Sequence, residues 1–104
     1  MQVEFHPEAT EELDGAIAWY SERSVTAARD FLVAVDLIIR SIALDPERFA
    51  LVDDQHRCCS VSRFPFQVVF RITDNVLTVV AIAHAKRRFR YWRYRSGSDP
   101  SDSV

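Results

Sequence analysis

"FQVVFRITDNVLTVVAIAH", residues 66–84, decides the fold. Two apolar runs, Phe66–Thr73 and Val76–His84, are joined through Thr73-Asp74-Asn75, the composition of a tight turn between antiparallel strands. In the second run both parities are apolar, with Leu77, Val79 and Ala81 on one side and Val80 and Ile82 on the other. A strand covered on both faces belongs in the middle of a sheet. The rest of the chain must therefore supply strand neighbours and a cover.

Upstream, "RCCSVSRF" (residues 57–64) reads as a short strand of imperfect alternation, and residues 47–56 read as a loop. Before them, Phe31, Val35, Ile38 and Ile42 recur at helical spacing, with Leu32, Leu37, Ile39 and Leu44 expected to thicken the stripe. This helix should stop at Asp45-Pro46, because a residue before proline avoids the helical region. Ser24 or Thr26 can cap its start.

An earlier helix over residues 7–23 carries Ala9, Leu13, Ala16, Ile17 and Tyr20 on one stripe. Pro7 suits its first turn, and Glu8, Glu11 and Glu12 suit the positive end of its dipole. Gly15 is expected to mark a close helix contact. "MQVEF" opens the chain with a strand's alternation. The predicted class is α+β, ordered β-α-α-β-β-β. A helical hairpin covers one face of a small, mainly antiparallel sheet, and a basic C-terminal segment follows. The other sheet face is expected to be only partly covered, a natural groove.

At 104 residues the chain is one domain, expected over 1–95 with a disordered tail, "SGSDPSDSV", at 96–104. No apolar run reaches the length of a membrane span and no signal sequence opens the chain, so the expected location is cytoplasmic. Cys58 and Cys59 are adjacent and form no disulfide framework. Charge is uneven: residues 1–55 hold twelve acids and four bases, residues 56–104 three acids and nine bases. The basic half culminates in "HAKRRFRYWRYRS", residues 84–96, where arginine alternates with aromatic rings. Such a surface faces a polyanion or an acidic partner.

Several stretches together carry a likeness to a known family: "FHPEATEELDGAIAWY", "ARDFLVAVDLIIRSIALDPERF", "FPFQVVFRI" and "VVAIAHAKRRFRYWRYR". Their order and spacing, with Trp19-Tyr20, Phe64-Pro65-Phe66, the strand-final His84, Tyr91-Trp92 and Arg95, resemble the RelE/ParE toxin superfamily, closest to its ParE-like, plasmid-stabilisation branch. The likeness covers Val3 to Arg95. It implies the toxin of a type II toxin–antitoxin pair, neutralised by a cognate antitoxin protein. ParE-like members poison DNA gyrase by binding it; RelE-like members cut mRNA on the ribosome.

The two activities ask for different residues. Metal-free RNA cleavage needs activation of a 2′-hydroxyl, a cation for the phosphorane and a proton for the leaving oxygen. His84, Arg87 and Tyr91 could fill those roles, with Arg63 or Arg57 as further phosphate ligands. Ribosome-dependent members carry an arginine where this chain has Gln67, and a neutral amide supplies no charge. Arg71 lies on the same strand face. The reading is therefore a non-enzymatic gyrase inhibitor, with a metal-independent endoribonuclease as the alternative and a non-toxic interaction module as a third possibility. Antitoxin or target contacts are expected from Arg63, Arg71, Arg87, Arg88, Arg90, Trp92 and Arg93, though Trp92 could instead return to the core. A lone strand-final histidine such as His84 is ordinarily structural. No cofactor is expected. Neither is a metal, since His56, Cys58 and Cys59 lack a second ligand pair and adjacent thiols on a strand point to opposite faces.

Overall fold

The computed structural model describes residues 1–95; the tail expected at 96–104 lies outside the described residues. Strand β1 (Gln2–Phe5) leads into helix α1 (Pro7–Ser21), helix α2 (Val25–Leu44) and a single 3₁₀ turn at Pro46–Arg48. Strands β2 (Arg57–Ser60), β3 (Phe66–Thr73) and β4 (Val76–His84) follow. The sheet order is β1-β4-β3-β2, so the doubly apolar β4 is interior. β1 runs parallel to β4, while the other two pairings are antiparallel.

Local chemistry sets these boundaries. Asp74 and Asn75 both take positive φ, 51° and 62°, the geometry that lets a two-residue turn follow the twist of β3 and β4. His6 caps α1: its Nδ1 accepts from the Glu8 amide at 3.1 Å, and Pro7 occupies the first helical turn. Burial lowers the His6 pKa from its ordinary 6.5 and so favours the neutral ring that can accept this bond. Ser24 Oγ accepts from Ala27 N at 3.2 Å to cap α2, which ends at Leu44 before Asp45-Pro46. β2 is shorter than the stretch 57–64 suggests, because the chain turns after Ser60. Phe64 N donates to Val61 O, and Arg63 adopts a φ of 72°.

The helical hairpin packs on one sheet face. Phe31, Val35 and Ile42 of α2 and Ala9 and Ala16 of α1 meet Val68, Phe70, Leu77, Val79 and Ile82. Tyr20, Phe31, Phe64 and Phe66 form an aromatic cluster, with ring centroids 5.0–5.3 Å apart for the pairs that involve Phe31 or join Tyr20 to Phe64. Leu32, Leu37 and Leu44 do not thicken this core; they are 46%, 61% and 87% exposed. They lie on helix positions rotated away from the Phe31–Val35–Ile42 line, whereas Ile38 and Ile39, flanking that line, do pack against the core. Gly15 marks no close contact either, for a side-chain carbon added there meets nothing within 4 Å.

β4 departs from simple alternation. Val69 pairs with Ala81 and Phe70 with Val79, leaving Val80 as the extra residue of a β-bulge. The bulge resets the side-chain phase. Leu77, Val79 and Ile82 face the helices, whereas Val80, Ala81 and Ala83 face the other way. That far face is not the open groove expected from the pattern. Trp92 lies on it, 4% exposed, against Val69, Val80, Ala81 and Ala83, with Val52, Cys58 and Tyr91 around it. The C-terminal run has folded back to form a second, smaller core. Cys58 belongs to this cluster and Cys59 to the helix-facing one; burial pushes both free thiols up.

Candidate functional site

After His84 the chain leaves β4 and returns across the sheet as a series of turns. Two carboxylates from the acidic half anchor it. The first is Glu12 on α1: it accepts from the Tyr91 hydroxyl at 2.5 Å, from Arg95 Nη1 and Nη2 at 2.9 and 3.2 Å, and from the Ile82 amide at 3.1 Å. Arg87 Nη1 approaches it to 4.0 Å. Arg71 Nη1 donates to the Arg95 carbonyl at 3.1 Å, tying β3 to the same strap.

The second anchor is Asp53, in the loop before β2. Its carboxylate accepts from the Gln55 and His56 amides and from His56 Nδ1, and it lies 3.7 Å from Arg90 Nη2. Burial acts to raise the Asp53 carboxyl, but these donors outweigh it and hold the group below its ordinary value. The His56 ring is buried, its centroid 4.8 Å from that of Trp92. The Asp53 contact accompanies a left-handed Arg90, φ 60°.

The residues singled out in the sequence do not form one site. His84, Arg87 and Tyr91 do come together: with Glu12, Gly15, Trp19, Phe66 and Lys86 they line a pocket of about 450 Å³ between α1 and the end of β4. His84 stands edge-on to Phe66 at 4.9 Å, and its Nδ1 accepts from the Lys86 amide at 3.0 Å. Burial first, and then the hydrogen bond to Glu12, push the Tyr91 phenol far above its usual range. Arg87 stacks over the Tyr91 ring at 4.0 Å.

Arg71, Arg90 and Trp92 work inward and hold the strap to the sheet. Arg57 is likewise internal, donating to the carbonyls of Glu47 and Phe49. Arg88 and Arg93 are exposed beside Lys86, Phe89 and Tyr94. Arg63 sits apart, in a groove against Asp30, Val33 and Leu37 of α2. Gln67 is exposed on β3.

Glu12, Asp53 and Arg95 escaped the sequence reading as functional positions. Glu12 had a legible signal: it falls between Ala9 and Ala16 on the buried stripe of α1, where a carboxylate needs a partner. Asp53 had none, since loop residues carry no period.

Comparison with known proteins agrees with this architecture. Residues 3–89 match the family model for the ParE toxin of the type II toxin–antitoxin system parDE. A chain from the chromosomal ParDE toxin–antitoxin system of P. aeruginosa superposes with a TM-score of 0.65 at 17% identity, over 81% of this chain and 95% of that one. At that identity the superposition speaks for the fold. No curated protein gave a significant sequence match. A family match spanning most of the domain, on a β-α-α-β-β-β fold with a folded-back basic strap, places the chain among the ParE toxins of type II toxin–antitoxin systems.

Proposed function

We propose that this ParE-family chain inhibits DNA gyrase by binding it as a protein, and that a cognate antitoxin neutralises it by covering the basic C-terminal surface. Membership in the ParE family supports the gyrase target, the activity that the likeness to ParE-like toxins implies. The observation that carries the choice of a binding function over RNA cleavage is the engagement of Glu12. The Tyr91 hydroxyl already donates its hydrogen bond to that carboxylate, and its raised pKa makes the phenol a poor acid or base near neutral pH. Arg87, the arginine of the pocket it shares with His84 and Tyr91, faces the same negative charge. Gln67 adds no charge on the neighbouring strand.

What is left over is suited to a protein partner. Lys86, Arg88 and Arg93 are exposed with Phe89 and Tyr94, which are 76% and 84% exposed. Arginine forks pair bidentately with carboxylates, and exposed aromatic rings add contact area at small entropic cost. The clustering of His84, Arg87 and Tyr91 in one pocket favours the second reading, a ribosome-dependent endoribonuclease.

Induced expression with RNA 5′-end mapping, run beside a supercoiling assay on purified gyrase, separates the two. The expected result is loss of supercoiling with no new mRNA ends. Codon-phased mRNA cuts with gyrase unaffected would overturn the proposal in favour of the second reading.

A further inference from the structure

β1 and β4 pair only from Gln2–Phe5 to Val76–Val79, and their last backbone bond is His6 N to Val79 O at 2.9 Å. The first strand stops there because Pro7 opens α1. β4 continues to His84, and after the Val80 bulge it presents the Val80 carbonyl and the Ile82 amide where a further strand residue would lie. Side chains meet both groups. Arg95 Nη1 donates to Val80 O at 3.1 Å, the Ile82 amide donates to Glu12 Oε1 at 3.1 Å, and the two side chains join at 2.9 Å. A residue of a parallel strand opposite Ala81 would offer one N–H to Val80 O and one C=O to Ile82 N. The ion pair supplies the same donor and acceptor from α1 and from the C-terminal strap.

We propose that Glu12 and Arg95 stand in for one residue of a continued β1, and that this pair is the latch that sets where the C-terminal strap lies on the sheet. Buried backbone groups demand partners, and the bond from Arg95 to Val80 O meets that demand while fixing the end of the strap against β4. The Tyr91 hydroxyl on Glu12, the Arg71 bond to the Arg95 carbonyl and Glu8, 3.3 Å from Arg95 Nε, close a ring around the pair. Glu12 and Arg95 are thus positioning residues. They touch no partner themselves but fix the segment that carries Lys86, Arg88 and Arg93; this last consequence rests on the proposed function.

Amide hydrogen exchange followed by NMR on the full chain tests the latch, with gyrase inhibition measured on the same samples. Glu12→Ala should raise exchange at Ile82 and across 91–95 by roughly tenfold or more, since a buried amide loses its acceptor. Glu12→Gln keeps an acceptor for Ile82 but not the charge, and should fall between. Glu11→Gln, its exposed neighbour, should change nothing. If Glu12→Ala does not fold, Glu12→Gln and Arg95→Lys carry the same comparison. Unchanged exchange at Ile82 in every Glu12 and Arg95 variant would overturn the latch, even if gyrase inhibition were lost. A loosened strap with undiminished inhibition would uphold the latch and remove the strap from the binding surface.

Discussion

The two faces of the sheet are held by different means. The helix-facing side is a continuous apolar core in which Phe31, Phe70, Ile42 and Leu77 are fully buried. The far side centres on the buried Trp92, on a floor of valine and alanine, and its cover is fixed at the edges by Glu12 and Asp53. The first face depends on many interchangeable contacts, the second on a few directional ones. A core of the first kind loses stability in proportion to what is removed. A clasp of the second kind fails when one charge loses its partner.

Breaking the first face should have the largest effect. Phe70→Ala removes a fully buried ring from the centre of β3 and should cost about 3–5 kcal/mol, read as a lower midpoint in chemical denaturation of the whole domain.

Breaking the second face at Asp53 should cost less and show a different pH signature. Asp53→Asn leaves the His56 ring and two amides with a weaker acceptor, a loss of about 1–3 kcal/mol at neutral pH. Because the folded pKa of Asp53 lies below its ordinary 3.8, its contribution is complete above that value and drains away as pH falls through the lower folded value. The variant should therefore lose less stability than the wild type over that acid range. Equal acid slopes in the two proteins would remove Asp53 as an anchor.

The smallest effect sharpens the comparison from the other direction. Gly15 lies mid-helix with open space at its side-chain position, so Gly15→Ala should stabilise the domain by about 0.5–1 kcal/mol. A loss of stability in thermal melts would mean that the pocket beside α1 needs that space.

The same contrast explains what could be read in advance. β3 and β4 were legible to the residue, because long apolar runs on either side of a turn leave one pairing. The Val80 bulge was not, since a strand apolar on both parities gives no sign of where its phase changes. Leu37 and Leu44 misled because helical spacing identifies a stripe but not how wide a surface meets it. The clasp was hidden by distance in sequence. Glu12 meets Tyr91 and Arg95 across 79 and 83 positions, and no local period connects them. Its place on the buried stripe was visible, but an acid near a helix N-terminus has a sufficient explanation in the dipole. The basic run likewise concealed two populations: Arg90 and Arg95 face anchors, whereas Arg88 and Arg93 face solvent.

That division leads to the most direct measurement. Purified gyrase is titrated with the wild-type chain and with a Lys86→Ala, Arg88→Ala, Arg93→Ala variant, and supercoiling is followed alongside thermal unfolding of each protein. Exposed substitutions of this kind shift stability by no more than about 0.5 kcal/mol each, so the variant should melt close to the wild type. The predicted result is inhibition by the wild type and its loss in the variant. Equal inhibition by both folded proteins would contradict the assignment of the exposed basic surface to partner binding.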